Sequence, residues 1–461
     1  MTANPSFSVS GQRVVVVGAA RSGVAAAELL VRRGAAVTLT DLRDRIAEDA
    51  QLRGAGVALE LGGHRDATLL GADLIVLSPG VPPTQPAIAQ ARAAGVPVMG
   101  ELELASRWLR GRIVAITGTK GKSTTTTLTG RMLEAGGHHV LVGGNIGLAL
   151  SAQVDQSTAD TIHVIEASSF QLESAETFHP WIAVLLNFSP DHLDRHADIA
   201  EYAAAKARVF ANQATGDWAV LNADDQASHL LAQDARSERL LFAVERRLPE
   251  GVLVAGDAIV RRTVEGDQLL VPLSAIKLLG RHLLADVAAA AAVAWLAGVE
   301  PEAMTRAVEG FTGLEHALEP VTELAGVRFV NDSKATNIEA ALRAVESFGP
   351  GLVVIAGGKF KGGDFGDLRE ALQARGARVV AIGEAAPLIH EALDPHLPVL
   401  DAADMVAAVR TAFAVALPGH TVLLAPACAS FDMFVNYAER GLVFKREVRR
   451  LAEEWSETRE Q

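Results

Sequence analysis

Nine residues, Ile116-Thr117-Gly118-Thr119-Lys120-Gly121-Lys122-Ser123-Thr124, constrain this chain more than any other stretch. The apolar run Ile113-Val114-Ala115-Ile116 leads into them and reads as a buried parallel strand. A Thr-rich segment leading to Leu128, Met132 and Leu133 follows and reads as a helix. A strand that turns through glycines into Lys-Ser at a helix start is a phosphate-binding loop. Backbone N–H groups and the helix N-terminus point at the anion, and the lysine adds a point charge. The Ser123 hydroxyl is then placed for a magnesium ion. Gly118 precedes Gly121 by three positions, against five in the common pattern, so the loop is a shortened variant. The expected ligand is a nucleoside triphosphate.

At 461 residues the chain exceeds one ordinary core, and at about 150 residues per domain three domains are expected. The formal charge of −13 opposes nucleic acid and anionic membrane surfaces, which select basic faces. An anionic small substrate remains compatible, because a local pocket can be positive on an acidic protein. The single cysteine, Cys428, excludes an internal disulfide and, flanked by alanines, reads as a small buried hydrophobe. Residues 1–10 lack the basic and apolar regions of a signal peptide. Every apolar run is interrupted well short of the roughly 18 residues of a membrane span. A cytoplasmic protein is expected.

The first segment opens with Val14-Val15-Val16-Val17-Gly18-Ala19-Ala20-Arg21-Ser22-Gly23, a helical pattern, and a second strand from Ala36 to Thr40 ending at Asp41. This is the layout of a mononucleotide-binding βαβ unit. Ala20 replaces the middle glycine of the dinucleotide fingerprint, which leaves a Rossmann-like half-fold without specifying NAD. The strand Asp73–Leu77 runs into Ser78-Pro79-Gly80-Val81-Pro82-Pro83, the kind of strand-end loop where an open α/β sheet places its ligand, or a plain surface loop. A domain boundary is expected around Gly100–Leu104.

In the middle segment, Val142-Gly143-Gly144-Asn145-Ile146-Gly147 reads as a glycine-rich turn. The strand Ile162–Ile165 ends in Glu166, the position of a magnesium-holding acid after a phosphate loop. A further strand, Ile182–Leu186, delivers Asp191, His192, Asp194 and His196. Without cysteine they suit magnesium or manganese better than zinc, with a solvated polar loop as the alternative. Lys206, between alanines of a helix running from Ile199 to Phe210, reads as a surface charge. The run Ala285–Ala297 reads as a helix packed closely on a sheet. In the third segment, strands around 327–330, 352–355, 379–382 and 422–425 form a second doubly wound pattern. Their ends carry Lys, Ser, Thr or Asp, which suits an anionic ligand.

Thr-Gly-Thr-Lys-Gly-Lys-Ser-Thr (117–124), Ser-Ser-Phe-Gln-Leu (168–172), Asp-His-Leu-Asp-Arg (191–195) and Asn-Asp-Ser-Lys-Ala-Thr-Asn (331–337) together resemble the Mur ligases of peptidoglycan synthesis. The last of these and Pro-Ala-Cys-Ala-Ser-Phe-Asp (426–432) are similar to the D-glutamate-adding branch of that family. The resemblance spans essentially the whole chain. It implies an α/β protein of three domains: Rossmann-like 1–102 for a UDP-linked substrate, 103–312 with a P-loop-type ATPase sheet, and Rossmann-like 313–461 for the amino acid. It implies ATP and two magnesium ions as cofactors, and UDP-N-acetylmuramoyl-L-alanine and D-glutamate as partners; a monomer is expected.

By the same resemblance, Gly118, Thr119, Lys120, Gly121, Lys122, Ser123 and Thr124 hold ATP, with Asp332 and Lys334 contributing from the third domain. Arg21, Ser22, Asp41, Arg43, Ser78, Pro79, Gly80 and Asn145 meet the UDP-linked substrate. Thr336, Lys361, Ser430 and Phe431 meet D-glutamate. Lys122, Glu166, His192 and Lys206 carry the chemistry. Ser123 and Glu166 hold one ion, and His192 with a carbamylated Lys206 holds the other. Domain closure is expected to assemble the site.

Two departures stand out. His282-Leu283-Leu284-Ala285-Asp286 replaces the family's His-Asn-x-x-Asn, and His316-Ala317 replaces its His-Arg, which bears on how the nucleotide is gripped. Two rivals remain: another amide ligase of the superfamily, and a nucleotide-sensing protein without turnover. A dehydrogenase fails on Ala20 and leaves Lys122 unexplained.

Overall fold

The computed structural model describes residues 7–192, 195–277, 282–311 and 313–460, with the backbone alone for 282 and 457–460. Asp194 and the expected boundary at residue 312 lie outside the described residues. The chain forms two compact units, 1–276 with 282–310, and 277–281 with 311–461.

The first unit contains two sheets. One is wholly parallel: β1 (Arg13–Val17), β2 (Ala36–Asp41), β3 (Ala58–Leu61), β4 (Leu74–Leu77) and β5 (Val98–Gly100), in the order β3-β2-β1-β4-β5. The strand order reverses between β1 and β4. Asp41 and Ser78, at the carboxyl ends of the strands flanking β1, therefore face the crevice where such sheets bind ligands.

The second sheet comprises β6 (Arg112–Thr117), β7 (His139–Gly144), β8 (Thr161–Glu166), β9 (Ile182–Leu185), β10 (Trp218–Asn222), β11 (Glu238–Ala243), β12 (Gly251–Ala255), β13 (Ala258–Thr263) and β14 (Gly266–Pro272). Its order is β14-β13-β12-β11-β10-β9-β6-β8-β7. From β7 to β12 the pairing is parallel, and β12, β13 and β14 form an antiparallel meander. The β6 strand is buried between β9 and β8, which explains its unbroken apolar run. The glycine-rich stretch Val142–Gly144 corrects the turn expected there: it ends β7. Gly144 has φ 99°, and a side chain on it would strike the Glu166 carbonyl of β8 at 2.5 Å.

The helix Glu101–Ser106 joins the two sheets and is fastened by two buried carboxylates. Glu101 Oε1 accepts the Ser151 N–H at 2.7 Å. Glu103 accepts the N–H groups of Glu176, Thr177 and Phe178, the Thr177 hydroxyl and Arg107 Nε. Burial pushes the Glu103 pKa up, but Thr177, the Glu176 amide and Arg107 outweigh it and leave the group below its ordinary value.

The second unit is built on β15 (Glu319–Leu324), β16 (Val327–Asn331), β17 (Leu352–Gly357), β18 (Arg378–Ile382), β19 (Val399–Asp401) and β20 (Thr421–Leu424), in the order β15-β16-β20-β17-β18-β19. All pairs are parallel except β15 with β16. The late strand β20 inserts between β16 and β17, so loops far apart in sequence leave adjacent strand ends. Among the described residues no helix is long and apolar enough to cross a membrane.

Candidate active site

The phosphate loop leaves β6 at Thr117 and enters the helix Lys122–Ala135. Two glycines make the turn: Gly118 with φ 152° and Gly121 with φ 82°. At Gly121 a methyl group would stand 2.1 Å from Asp286 Oδ1, so glycine is required both for conformation and for space. Asn187, just beyond β9, clamps the loop. Its Oδ1 accepts the N–H groups of Thr119 and Lys120 at 3.1 and 2.9 Å, and its Nδ2 donates to the Lys120 carbonyl. This refines the expected roles of Thr119 and Lys120. Their amides are spent on Asn187, the Thr119 hydroxyl pairs with Ser189, and Lys120 Nζ lies 3.5 Å from Asp191. The amides at the helix start, from Gly121 through Lys122 and Ser123 to Thr124, are the ones that could meet a phosphate. Lys122 Nζ arches over the loop and donates to the carbonyls of Gly118 and Thr119.

Glu166 ends β8 in register with Ile116 of β6, which sets its carboxylate beside the phosphate loop. It is buried; Asn145 Nδ2 donates to Oε1 at 2.7 Å, while Oε2 has no protein partner. A buried carboxylate oxygen left unsatisfied next to a phosphate loop fits a magnesium ligand.

Lys206 corrects the surface-charge reading. It is 1% exposed, its Nζ donates to the Gly118 carbonyl at 2.7 Å, and it lies 4.7 Å from the centre of the Tyr202 ring. Burial, with Lys122 adding repulsion, holds its amine far below the ordinary lysine pKa. The deprotonated amine is the form that adds carbon dioxide, and this shift favours it.

His192 has φ 55° and rests edge-on against Phe170, ring centres 4.9 Å apart. His196 is buried against the Ser169 hydroxyl, which takes it out of the group of candidate ligands expected in this loop. Among the described residues no group of three His, Cys, Asp or Glu side chains forms a ready-made metal cluster.

Around the first sheet, Arg21 and Ser22 open the helix Arg21–Arg32, and Arg21 Nη1 donates to the Gly147 carbonyl at 3.0 Å. Asp41 accepts the Ala19 N–H at 2.6 Å and a double contact from Arg43. The Arg43 guanidinium and these N–H groups hold its carboxyl well below the usual range. Ser78 is buried with an unpartnered hydroxyl, and Gly18 and Gly23 pack on it too closely for any side chain. Pro79 and Gly80 form the turn behind it, closed by Val81 N–H to the Ser78 carbonyl.

In the second unit, Asp332 accepts the Leu318 N–H at 3.1 Å, and burial raises its pKa to about 7. Lys334 and Thr336 follow in the same loop, where the Lys334 N–H donates to the His316 carbonyl. His316, at φ 67°, sits in a buried network in which Asn331 Nδ2 reaches both its Nδ1 and Glu319. Ala317 beside it offers no cation. Lys361 follows β17, and Ser430 and Phe431 follow β20, Ser430 buried and Phe431 65% exposed.

The middle domain of Mur ligases matches residues 116–294, the MurD-like N-terminal domain of Mur ligases matches 12–100, and the Mur ligase glutamate ligase domain matches 318–428. The UDP-N-acetylmuramoylalanine–D-glutamate ligase of Acidobacterium capsulatum is 48% identical over 95% of this chain and 96% of its own. The enzyme of the same name from Koribacter versatilis is 44% identical over 97% and 99%. The chain belongs to the Mur ligase family. Its fold is that of solved members. The UDP-N-acetylmuramate–alanine ligase MurC of Thermotoga maritima aligns with a TM-score of 0.62 at 18% identity, over 95% of this chain and 99% of that one. A pseudomurein peptide ligase of Methanothermus fervidus aligns at 0.58 and 18%, with the same coverage.

Two residues around this Mur ligase's phosphate loop received no role from sequence reasoning. Asn187 carried a signal, the strand-end position, and Tyr202 carried none. Asp286, known from the sequence only as a departure from the family's His-Asn-x-x-Asn, proves buried with its pKa far above the ordinary value.

Proposed function

We propose that this Mur ligase joins D-glutamate to UDP-N-acetylmuramoyl-L-alanine with ATP, in the synthesis of peptidoglycan precursors. The observation that carries the reading is the setting of Glu166 and buried Lys206 around a phosphate loop whose lysine already spans its carbonyls, in a chain whose relatives bear that ligase name. Residues 1–102 take the UDP-linked substrate, 103–312 take ATP, and 313–461 take the amino acid.

The alanyl carboxylate attacks the γ-phosphorus of ATP; a carboxyl oxygen–phosphorus bond forms, the bond to ADP breaks, and an acyl phosphate results. The amine of D-glutamate then attacks the acyl carbon, gives up its proton, and expels inorganic phosphate. Three anions must approach one another, so charge neutralisation is the main task. Lys122 swings from the loop carbonyls to the β- and γ-phosphates. Asn145 and the Ser78–Gly80 turn orient the muramoyl-alanine end, while Arg21, Ser22, Asp41 and Arg43 hold the uridine diphosphate side. Thr336, Lys361, Ser430 and Phe431 orient D-glutamate, and Asp332 with Lys334 contacts the nucleotide.

Two magnesium ions fit the donors present: Ser123 with Glu166, whose Oε2 lacks a protein partner, and His192 with a carbamate on Lys206. When bound they supply the charge that draws the phosphate oxygens and the attacking carboxylate together. A cytoplasmic site of action fits the ATP and UDP-sugar pools it consumes, and the chain is proposed to act as a monomer.

The test is phosphate release from ATP with UDP-N-acetylmuramoyl-L-alanine across a panel of amino acids including both glutamate enantiomers. Release dependent on D-glutamate alone is expected; release with a different amino acid would overturn the substrate assignment.

A further inference from the structure

The largest fully buried side chain among the described residues is a cation, Arg440, 1% exposed near the start of the helix Tyr437–Glu460. Among the described residues no carboxylate comes within ion-pair distance of it, although the charge of Asp432 acts on it from further off. Its guanidinium is spent on two loops instead. Nε donates to the Ser333 hydroxyl and Nη2 to the Ser333 carbonyl, both at 2.9 Å, and Nη1 donates to the Cys428 carbonyl at 3.1 Å. Ser333 completes the knot by donating its hydroxyl to the Tyr437 carbonyl at 2.7 Å.

A buried charge whose direct partners are all neutral oxygens is expensive, which points to a task that a neutral side chain cannot perform. The task is visible in the topology. Ser333 lies in the loop leaving β16 and Cys428 in the loop leaving β20, and these strands are neighbours only because β20 inserts beside β16. The loop leaving β17 closes against the same place. A side chain on Gly358 would come within 2.3 Å of the Ala429 carbonyl and 3.2 Å of Arg440 Nη1, and Lys359 and Ala429 exchange backbone hydrogen bonds. Ala427 adopts φ 58° in this junction, and its N–H donates to the Ala335 carbonyl at 2.9 Å.

We propose that Arg440 is a positioning residue: one planar fork sets the loop bearing Asp332, Lys334 and Thr336 in register with the loop bearing Ser430 and Phe431. The assignment of these loops to nucleotide and amino acid rests on the function proposed above; the register itself does not. A lysine presents a single point of charge and cannot span both loops, so charge alone will not substitute.

The experiment uses the full-length protein with Arg440→Lys, Arg440→Met and the milder Ser333→Ala. Steady-state phosphate release should show KM for ATP and for the amino acid both raised, or kcat lowered, by roughly ten- to a hundredfold in Arg440→Lys. KM for the UDP-linked substrate, whose residues lie in the other unit, should be unchanged. Ser333→Ala should add little in the Arg440→Met background. If a different amino acid supports turnover in the wild type, that amino acid is used and the same split decides. Hydrogen exchange measured without any ligand tests the register independently of every substrate assignment. Arg440→Lys should speed exchange in both loops, 331–337 and 425–431, while β16 and β20 keep their protection. Exchange altered in neither loop, in one only, or across the whole unit would overturn the proposal, as would equal rises in all three KM values.

Discussion

Replacing Asp332 by asparagine should stabilise the second unit while impairing the enzyme. In the folded chain burial holds the Asp332 pKa at about 7, against about 3.9 in an unfolded chain. The folded state therefore keeps a proton that the unfolded state has released, and stability falls as pH rises from about 4 to about 7. Below that window both states are protonated and the residue contributes nothing. Above it the full difference of about 3 pH units costs about 4 kcal/mol. Asparagine carries no charge to desolvate and keeps an oxygen to accept the Leu318 N–H at the same place. The gain should thus approach about 4 kcal/mol at pH 8 and vanish near pH 4, which for a unit of this size means a Tm rise on the order of 10 °C. Calorimetry of both proteins at the two pH values reads it directly. The cost falls on catalysis: losing a charged acceptor to the nucleotide should raise KM for ATP by roughly ten- to a hundredfold. Equal Tm shifts at both pH values, or destabilisation at pH 8, would refute the reasoning.

Three further outcomes are expected. Exhaustive removal of bicarbonate should silence the enzyme and its return restore it, because burial favours the deprotonated amine of Lys206; Lys206→Arg, permanently charged, should stay inactive in either condition, and intact mass should show one added carboxyl group in the wild type alone. Gly121→Ala should lose nucleotide binding in calorimetric titration through the 2.1 Å approach to Asp286, and Gly121→Ala/Asp286→Ala should recover part of it. Glu103→Ala strips the acceptor from Arg107 and from three consecutive backbone amides, and should lower the unfolding free energy in urea by about 3–5 kcal/mol; a loss under 1 kcal/mol would mean water replaces the carboxylate without cost.

Much of this protein is legible along the chain because the relevant physics is local. Glycines at 118 and 121 before Lys122 and Ser123 specify a turn into a helix start whatever surrounds them, and apolar runs ending in Glu166, Asp41 or Asp332 specify strands with polar carboxyl ends. The weaker strands β3, β5, β15 and β19 were not legible, since short half-buried or edge strands carry little periodic signal. Residue type alone also misjudged what only packing decides. Lys206 is chemically a surface lysine until Gly118 and Tyr202 close over it. Asp332 is an ordinary acid until burial raises its pKa. Arg440 acquires its partners only when β20 inserts between β16 and β17, bringing together residues about a hundred positions apart. Sequence by itself determined the glycine turn into the helix at Lys122 and the main apolar strands, because those follow from backbone conformation and hydrophobic spacing. Protonation states and the register of the loops were left to the tertiary structure, because desolvation and long-range hydrogen bonds exist only once distant segments are packed.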